Sequence, residues 1–251
     1  MDTDKLDKGC EYDDNIKFVI IMATYDRKNR KTQFYLERSI SSILKQGYKN
    51  WDLVIVGDKY ENEGELLNII DSFKKITTNN IMYINNQIVE RDHVRNKNRL
   101  WNCAGANSMN IGLEYARNKG YKYYCHLDDD DYWSENHLTC IYKIYKDFTT
   151  CVFAYTKSTY RNSFLPRENM QLYKNNRLPL SEATIHSSFS FRIDIIPFNY
   201  MTSITHGTDY PSDAQMLDDI KSFIINSKEK FCSVYNCTLT CYHEVEGESI
   251  C

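Results

Sequence analysis

Four consecutive aspartates, residues 128–131, are the strongest chemical signal in this chain of 251 residues. Adjacent ionised carboxylates raise one another's pKa values unless a cation lies among them. A hard divalent ion such as Mg2+ or Mn2+ prefers oxygen ligands, takes one or two protein carboxylates, and leaves its other positions to water and substrate phosphate. The run therefore indicates a metal site. An exposed acidic turn and a helix N-cap before Tyr132 are the alternatives.

The elements that must position these aspartates alternate between strands and helices. Short β-branched apolar runs predict buried strands at residues 17–23, 51–57, 81–85 and 121–126. Helical spacing of apolar residues predicts helices at residues 31–46, 63–76 and 106–118. This alternation predicts an α/β fold with a mainly parallel central sheet and helices on both faces. Ligands then bind at the carboxyl ends of the strands, where residues 24–27, Asp58 and the aspartate run follow three of them.

The second half of the chain alternates less clearly. We expect a helix at residues 135–147, a strand at 151–155, an irregular stretch to 181, a strand at 187–193, a helix at 213–226 and a last strand at 231–241. Residues 86–103 are predicted to form a long basic loop, which either reaches over a diphosphate or is merely solvated. No linker or repeat divides the chain, so we expect one domain over residues 15–251 after a polar lead at residues 1–14.

Charge and composition argue against several classes of function. A formal net charge of -3 and a pI near 6.1 leave no general basic field for nucleic acid or an anionic membrane surface. Nine cysteines, an odd number without paired metal spacing, favour a reducing compartment. The acidic N-terminal segment does not resemble a signal peptide, and no segment reaches the roughly 18 apolar residues of a membrane span. We therefore expect a soluble, cytoplasmic protein.

Three segments, in order and at ordinary spacings, resemble the GT-A glycosyltransferases of the family-2 type. Residues 18–27 are similar to the family's opening strand and Thr-Tyr-Asn-Arg turn, and residues 36–58 to its helix, Gln-x-Tyr turn and second strand. Residues 105–133 resemble its Asn-x-Gly helix followed by Leu-Asp-x-Asp-Asp-x-Trp. The resemblance implies a single GT-A (Rossmann-like) domain, with a nucleotide-binding part at residues 15–133 and an acceptor-side part at residues 134–251.

The family implies an inverting transfer of a sugar from a nucleoside-diphosphate-sugar, expected to be a UDP-sugar, to a hydroxyl of a glycan or similar acceptor. Mn2+ or Mg2+ is the implied cofactor. One alternative is a catalytically degenerate module that binds a nucleotide or glycan without turnover, because the acids near Asp213 are sparse. Another is a sugar-nucleotide pyrophosphorylase, which needs a glycine-rich loop after the first strand, whereas residues 23–28 contain no glycine.

The resemblance also assigns roles by position. Seven residues are assigned to donor binding: Thr24, Tyr25, Arg27, Asp58, Asn110, Asp128 and Asp129. Asp130 is expected to bind the metal directly, and Asp131 to support the site. Two positions depart from the family pattern. Gly57 stands where an acid is frequent, and Ser108-Met109 replaces the pair before Asn110, which removes an arginine.

Two further residues are assigned near the C-terminus. Residues 212–217 resemble the family's Glu-Asp-x-Asp-like motif, which makes Asp213 the expected general base, although a first-turn carboxylate beside the helix dipole is the alternative. Its nearby competitors are Asp209, Asp218 and Asp219. Tyr242-His243-Glu244 resembles a C-terminal segment whose histidine completes the metal shell, and a surface histidine is the alternative. His186 and His206 rank below His243 as metal ligands.

Overall fold

Strands and helices alternate through the first half of the chain, as predicted. The computed structural model describes residues 15–27, 31–167, 181, 183–203 and 209–243. The strands are β1 (Phe18–Thr24), β2 (Trp51–Asp58), β3 (Ile81–Asn86), β4 (Tyr123–His126), β5 (Tyr132–Trp133), β6 (Cys151–Tyr160), β7 (Ser163–Leu165), β8 (Phe189–Arg192) and β9 (Cys232–Tyr242). The helices are α1 (Thr32–Leu44), α2 (Gly64–Lys74), α3 (Lys97–Cys103), α4 (Ala106–Asn118), α5 (His137–Asp147) and α6 (Ser212–Asn226). None of these helices is long and apolar enough to cross a membrane.

One sheet contains all nine of these strands. β3, β2, β1 and β4 lie side by side in that order and run parallel, because a helical crossover returns the chain before each new strand. β8 pairs antiparallel with β4 and extends the sheet through β6 and β9 to β5, while β7 pairs with β6. The second half is thus mixed in direction. The predicted α/β class, with a mainly parallel sheet in a single domain, is confirmed.

β1 shows why the sheet is covered on both faces. Its side chains alternate between two cores, with Phe18, Ile20 and Met22 in one and Val19 and Ile21 in the other. Helices α1, α2 and α5 contribute to the first core, and α4 and α6 contribute to the second. A strand that is buried on both sides needs an unbroken apolar run, which is the pattern of this segment.

Two expectations of irregular structure are wrong. Residues 86–103 contain a 3-10 turn (Glu90–Asp92) and helix α3 instead of one long loop. The Asn96 side chain accepts hydrogen bonds from two backbone N–H groups of the first turn, which starts α3 without an apolar period. The strand expected at residues 151–155 continues to Tyr160, because its polar end pairs with β7 and β9. Of the stretch predicted to be irregular, residues 168–180 lie outside the described residues.

Candidate active site

The candidate site lies at the carboxyl ends of β1, β2 and β4. Parallel pairing places Thr24 of β1 beside Gly57 of β2, and Ile21 of β1 beside His126 of β4. The residues that follow these strands therefore meet at one edge of the sheet, where α/β folds bind their ligands. The structure brings together the three polar sites that the sequence places after strands.

Asp129 is neutralised by Arg27. The guanidinium donates to both carboxylate oxygens, from Nη1 to Oδ2 at 2.7 Å and from Nη2 to Oδ1 at 2.5 Å, and the Thr24 hydroxyl donates to Oδ2 at 2.6 Å. Burial alone lowers the pKa of Arg27, but the hydrogen bond and charge of Asp129 raise it, so the guanidinium is charged. The guanidinium also lies over the Tyr25 ring, 4.4 Å from its centroid. Four of the residues assigned to donor binding are thus joined around one ion pair.

Asp131 has a cation of its own. Its Oδ1 lies 2.8 Å from Nδ1 of His243, whose ring stacks on Tyr160. Burial lowers the pKa of His243, but the hydrogen bond and charge of Asp131 outweigh burial and raise it to about 9. His243 is therefore an imidazolium that donates a hydrogen bond to Asp131 and forms an ion pair with it. The metal-ligand role assigned to it stays a prediction, and it requires Nε2 after loss of a proton.

Asp130 lacks a cation of its own among the described residues. Its side chain is 39% exposed, and Nη2 of Arg27, 3.3 Å away, already bonds Asp129. Burial and the charges of Asp129, Asp131 and Asp128 raise the pKa of Asp130 to about 7. An accessible oxygen whose negative charge is disfavoured is the environment that a hard divalent ion relieves. The residues present therefore fit Mn2+ or Mg2+.

Asp128 is held by two histidines. Its Oδ1 lies 2.8 Å from His126 Nε2 and 3.5 Å from His186 Nδ1, and Ser187 donates its hydroxyl to Oδ2 at 3.3 Å. Burial raises the pKa of Asp128, but the two histidines lower it well below its usual range. These three residues can hold a metal ion. The sequence indicated His186 only as a minor candidate and did not indicate His126. The one sequence signal for His126 is its place at a strand end just before the aspartates. His206 lies outside the described residues.

Asp58 is engaged by Arg91 and Ser108. Arg91 Nη1 donates to Oδ2 at 2.5 Å, and the Ser108 hydroxyl donates to Oδ1 at 2.8 Å. Arg91 Nη2 also donates to the backbone oxygens of Asp58 and Lys59. The basic segment after β3 therefore contacts the end of β2. No sequence motif distinguishes Arg91 from the other basic residues of that segment.

Packing bears on both departures from the family pattern. A Cβ at Gly57 would lie 2.7 Å from the Tyr83 hydroxyl oxygen, so a larger residue there requires the Tyr83 side chain to shift. Met109 is 6% exposed and packs in the second core. The neighbouring Asn110 bonds the backbone of Tyr200, with its Nδ2 donating to the carbonyl oxygen and its Oδ1 accepting the N–H, both at 2.8 Å. Asn110 thus joins α4 to the segment before α6, and its contact with the donor stays a prediction.

Asp213 lies in the first turn of α6, near Tyr200. Its Oδ1 accepts the N–H of Ala214 at 2.8 Å, and its charge adds to the larger effect of burial in raising the pKa of Tyr200. Tyr200 contacts His186, which lies beside Asp128. The competing acids have other partners: Asp209 pairs with Arg99, Asp218 accepts from Tyr210, and Asp219 accepts from Gln215.

The sequence profile of glycosyl transferase family 2 matches residues 19–198, a span that includes most of β1, the aspartate run and β8. The chain belongs to glycosyl transferase family 2. This glycosyltransferase is 47% identical over 246 residues to the uncharacterized glycosyltransferase R139 of Acanthamoeba polyphaga mimivirus. The aligned residues cover 92% of this chain and 95% of that one. Both comparisons include the aspartate run.

Solved structures show the same fold. The family-2 glycosyltransferase is similar to S. aureus TarS 1-349 in complex with UDP-GlcNAc, with a TM-score of 0.65 and 14% identity, over 93% of this chain and 60% of that chain. It is also similar to the mannosyltransferase PcManGT from Pyrobaculum calidifontis in complex with GDP-Man and Mn2+, with a TM-score of 0.60 and 12% identity, over 92% and 58% of the two chains. The glycosyltransferase thus spans less than two thirds of either protein. At these identities the likeness establishes the fold alone.

Proposed function

We propose that this glycosyltransferase moves a sugar from a nucleoside-diphosphate-sugar, expected to be a UDP-sugar, to a hydroxyl of a glycan or similar acceptor. The transfer inverts the anomeric configuration, and Asp213 is its general base. The fold accommodates a UDP-sugar in TarS and a GDP-sugar in the mannosyltransferase, so both nucleotides belong in a donor screen.

One observation carries the proposal: the four aspartates fall into two pairs. Asp129 and Asp131 each have a close cationic partner, Arg27 for one and His243 for the other. Asp128 and Asp130 keep 36% and 39% of their side chains exposed at the end of β4. Two accessible carboxylates, spaced one residue apart above a rigid parallel sheet, suit a metal and the ribose and diphosphate of a donor.

The donor pocket follows from the residues around these carboxylates. Tyr25 presents an aromatic ring next to the Arg27–Asp129 ion pair, and Asp58 with Arg91 supplies hydrogen-bonding groups at the end of β2. In the proposal these residues frame the base and ribose. Asp130 holds the divalent ion, which when bound neutralises charge that develops on the departing diphosphate.

The role proposed for Asp213 is to act on the acceptor. In an inverting transfer, the acceptor oxygen forms a bond to the anomeric carbon from the face opposite the leaving diphosphate and gives its proton to a carboxylate. The Asp213 carboxylate is partly exposed, its hydrogen bond is to the first turn of its own helix, and it lies near Tyr200 on the side of the group around Asp128.

The proposal is tested by donor hydrolysis and transfer with a panel of UDP- and GDP-sugars, together with thermal shifts in nucleotide with and without Mn2+. We expect a nucleoside diphosphate to stabilise the protein in a metal-dependent way, and Asp130→Asn to remove the metal dependence. Asp213→Asn should lower turnover about 100-fold or more while donor binding is retained. The matched control is Asp219→Asn on the same helix, whose carboxylate accepts from Gln215 and which should keep near-normal turnover.

Three results would contradict parts of this assignment. Metal-independent stabilisation by the nucleotide would remove the role given to Asp130. Normal turnover in Asp213→Asn would remove the general base. Binding of nucleotide without hydrolysis or transfer of any donor would show a degenerate binding module instead of an enzyme.

A further inference from the structure

A closed ring of polar contacts lies beneath Asp128. Asp128 Oδ1 contacts His126 Nε2 at 2.8 Å and His186 Nδ1 at 3.5 Å. The other nitrogen of each histidine meets a tyrosine hydroxyl, His126 Nδ1 that of Tyr124 at 3.0 Å and His186 Nε2 that of Tyr200 at 2.5 Å. The two tyrosine hydroxyls lie 3.0 Å apart and close the ring. His126 and Tyr124 are fully buried.

The ring has one hydrogen too few for its five contacts. Each neutral imidazole supplies one N–H and each tyrosine one O–H, while an ionised carboxylate supplies none. Four hydrogens therefore face five contacts, and one contact must join two acceptors. A buried polar network with one unsatisfied member is costly, so an additional positive charge at this position would stabilise it.

A metal ion removes the pair of facing acceptors. If Asp128 Oδ1, His126 Nε2 and His186 Nδ1 bind one ion, the ion replaces the two histidine contacts to Asp128. The four hydrogens then supply all three remaining contacts, and one tyrosine O–H is left over. Each histidine then donates its other N–H to a tyrosine oxygen, which is the outer support that metal-bound histidines normally have. Ser187 Oγ donates to the other oxygen of Asp128 and receives the backbone N–H of Asp128, which fixes the carboxylate.

We propose that His126, Asp128 and His186 form a metal site for an ion that accepts nitrogen ligands, such as Mn2+, in preference to Mg2+. Two imidazoles and one carboxylate suit transition ions, whereas Mg2+ prefers oxygen ligands throughout. All three ligands are protein groups, so the site fills without nucleotide. It is distinct from the ion that Asp130 holds with the donor diphosphate, and it does not depend on the proposed transfer.

Binding must open the histidine stack. The rings of His126 and His186 lie face to face with centroids 3.5 Å apart, and two imidazoles on one ion approach it from different directions. His186 makes the longest contact of the ring, to Asp128, and lies in a 3-10 turn, whereas His126 belongs to β4. His186 is therefore the residue that shifts.

The test is Mn2+ binding to the full chain without nucleotide. Electron paramagnetic resonance measures the free Mn2+ that remains, and calorimetry measures the binding itself. Mn2+ is a better probe than Zn2+, because the free thiols of the chain also bind Zn2+. We expect one bound Mn2+ that a hundredfold excess of Mg2+ does not displace. His186→Gln should abolish this binding, while His93→Gln, which changes an exposed histidine, should retain it.

Two further variants keep the test decisive if His186→Gln does not fold. Tyr200→Phe leaves all three ligands in place and should weaken Mn2+ binding about tenfold, because it removes the outer partner of His186. His137→Phe, which changes a buried histidine outside this group, should leave nucleotide-free Mn2+ binding unchanged. No Mn2+ binding to the folded wild-type chain, ready displacement by Mg2+, or unchanged binding in a folded His186→Gln variant would overturn the proposal. The first result would leave a bound proton as the charge that completes the ring, and none of these results bears on sugar transfer.

Discussion

At the scale of single residues, partners give four chemically identical aspartates different states. Asp129 and Asp131 each lie against a cationic side chain, whereas burial and its neighbours raise the pKa of Asp130 to about 7. Burial also raises the pKa of Asp131, and the hydrogen bond and charge of His243 act against that effect. Asp128 stays ionised because two histidines contact it. Position along the run is therefore less informative than the residue that each carboxylate meets.

This division predicts different effects on stability for two equivalent substitutions. Asp129→Asn leaves the guanidinium of Arg27, 8% exposed, without its paired carboxylate and should lower the free energy of unfolding by about 3–5 kcal/mol. Asp130→Asn removes a charge that the fold disfavours above pH 7, so stability at pH 8 should be unchanged or higher. Urea unfolding in a metal chelator measures both. Equal losses in the two variants would show that the aspartates are equivalent.

His137 predicts a loss of stability in acid. It is fully buried beside Thr240 and Trp133, and burial lowers its pKa to about 3. An unfolded histidine titrates near pH 6.5, so the unfolded chain gains the proton first, and stability falls as the pH decreases from about 6.5 toward 3. Between pH 7 and 5 this effect amounts to about 2 kcal/mol.

Urea unfolding of His137→Phe at the two pH values tests this effect. Phe keeps an aromatic ring beside Trp133, and Thr240 keeps its hydrogen bond to Thr156. The loss of stability on going from pH 7 to pH 5 should be about 2 kcal/mol smaller in the variant than in the wild type. The remaining loss belongs to groups such as His126, whose pKa burial lowers to about 4. Identical losses in both proteins would mean that His137 is not held neutral.

At the scale of elements, short contacts hold the site segments against the sheet. The 3-10 turn that carries Arg91 is anchored by Glu90, whose carboxylate accepts the backbone N–H of Ser203 at 3.0 Å. Asn110 of α4 holds the backbone of Tyr200. Both links join the 3-10 turn and α4 to the segment that precedes α6.

The contact of α4 with β1 predicts the effect of Gly112→Ala. Alanine favours a helix interior over glycine by about 1 kcal/mol, but a Cβ at Gly112 would lie 2.4 Å from Cγ2 of Ile21. The steric clash should outweigh the gain in helix propensity, and the free energy of unfolding in urea should fall by about 1–3 kcal/mol. Gly64→Ala, at the exposed start of α2, is the control and should cost little. A stabilised Gly112→Ala would show that α4 can move away from β1.

At the scale of the whole molecule, the two halves share one sheet. β4 of the first half pairs with β8 of the second, which continues the sheet to β6 and β9. The buried side chain of Gln46 adds a second link, because it donates to the carbonyl oxygen of Ser134 at 2.7 Å and accepts the N–H of Leu138 at 2.9 Å. The Trp133 indole donates to the carbonyl oxygen of Ser187 at 2.7 Å. The halves are therefore parts of one folding unit.

This shared sheet predicts a single cooperative unfolding transition. Far-ultraviolet circular dichroism reports on all helices and strands, and tryptophan fluorescence includes Trp51 of β2 and Trp133 of β5. Both signals should give the same urea midpoint. Two separate midpoints would show that residues 15–133 and 134–243 unfold independently.

The sequence alone determined the class of fold and the edge of the sheet that carries the site. Alternating apolar periods are a local signal, and parallel strands joined by helices place their carboxyl ends together. For the same reason, the sequence predicted that Asp58, Asp128 and Asp130 lie at this edge. The short helix α3 and the polar end of β6 were not, because a side-chain cap and strand pairing form them without an apolar pattern.

Only the tertiary structure decided which partner each charged residue has. Arg27 meets Asp129 across 102 positions, and the bond between Asp131 and His243 spans 112. His126 and His186 stack although they belong to different elements. Such pairs depend on strand register and on how connections cross the sheet, and no local pattern encodes them. The four aspartates are one motif in the sequence, and the folded chain separates them into two that lie against cationic side chains and two that face the site.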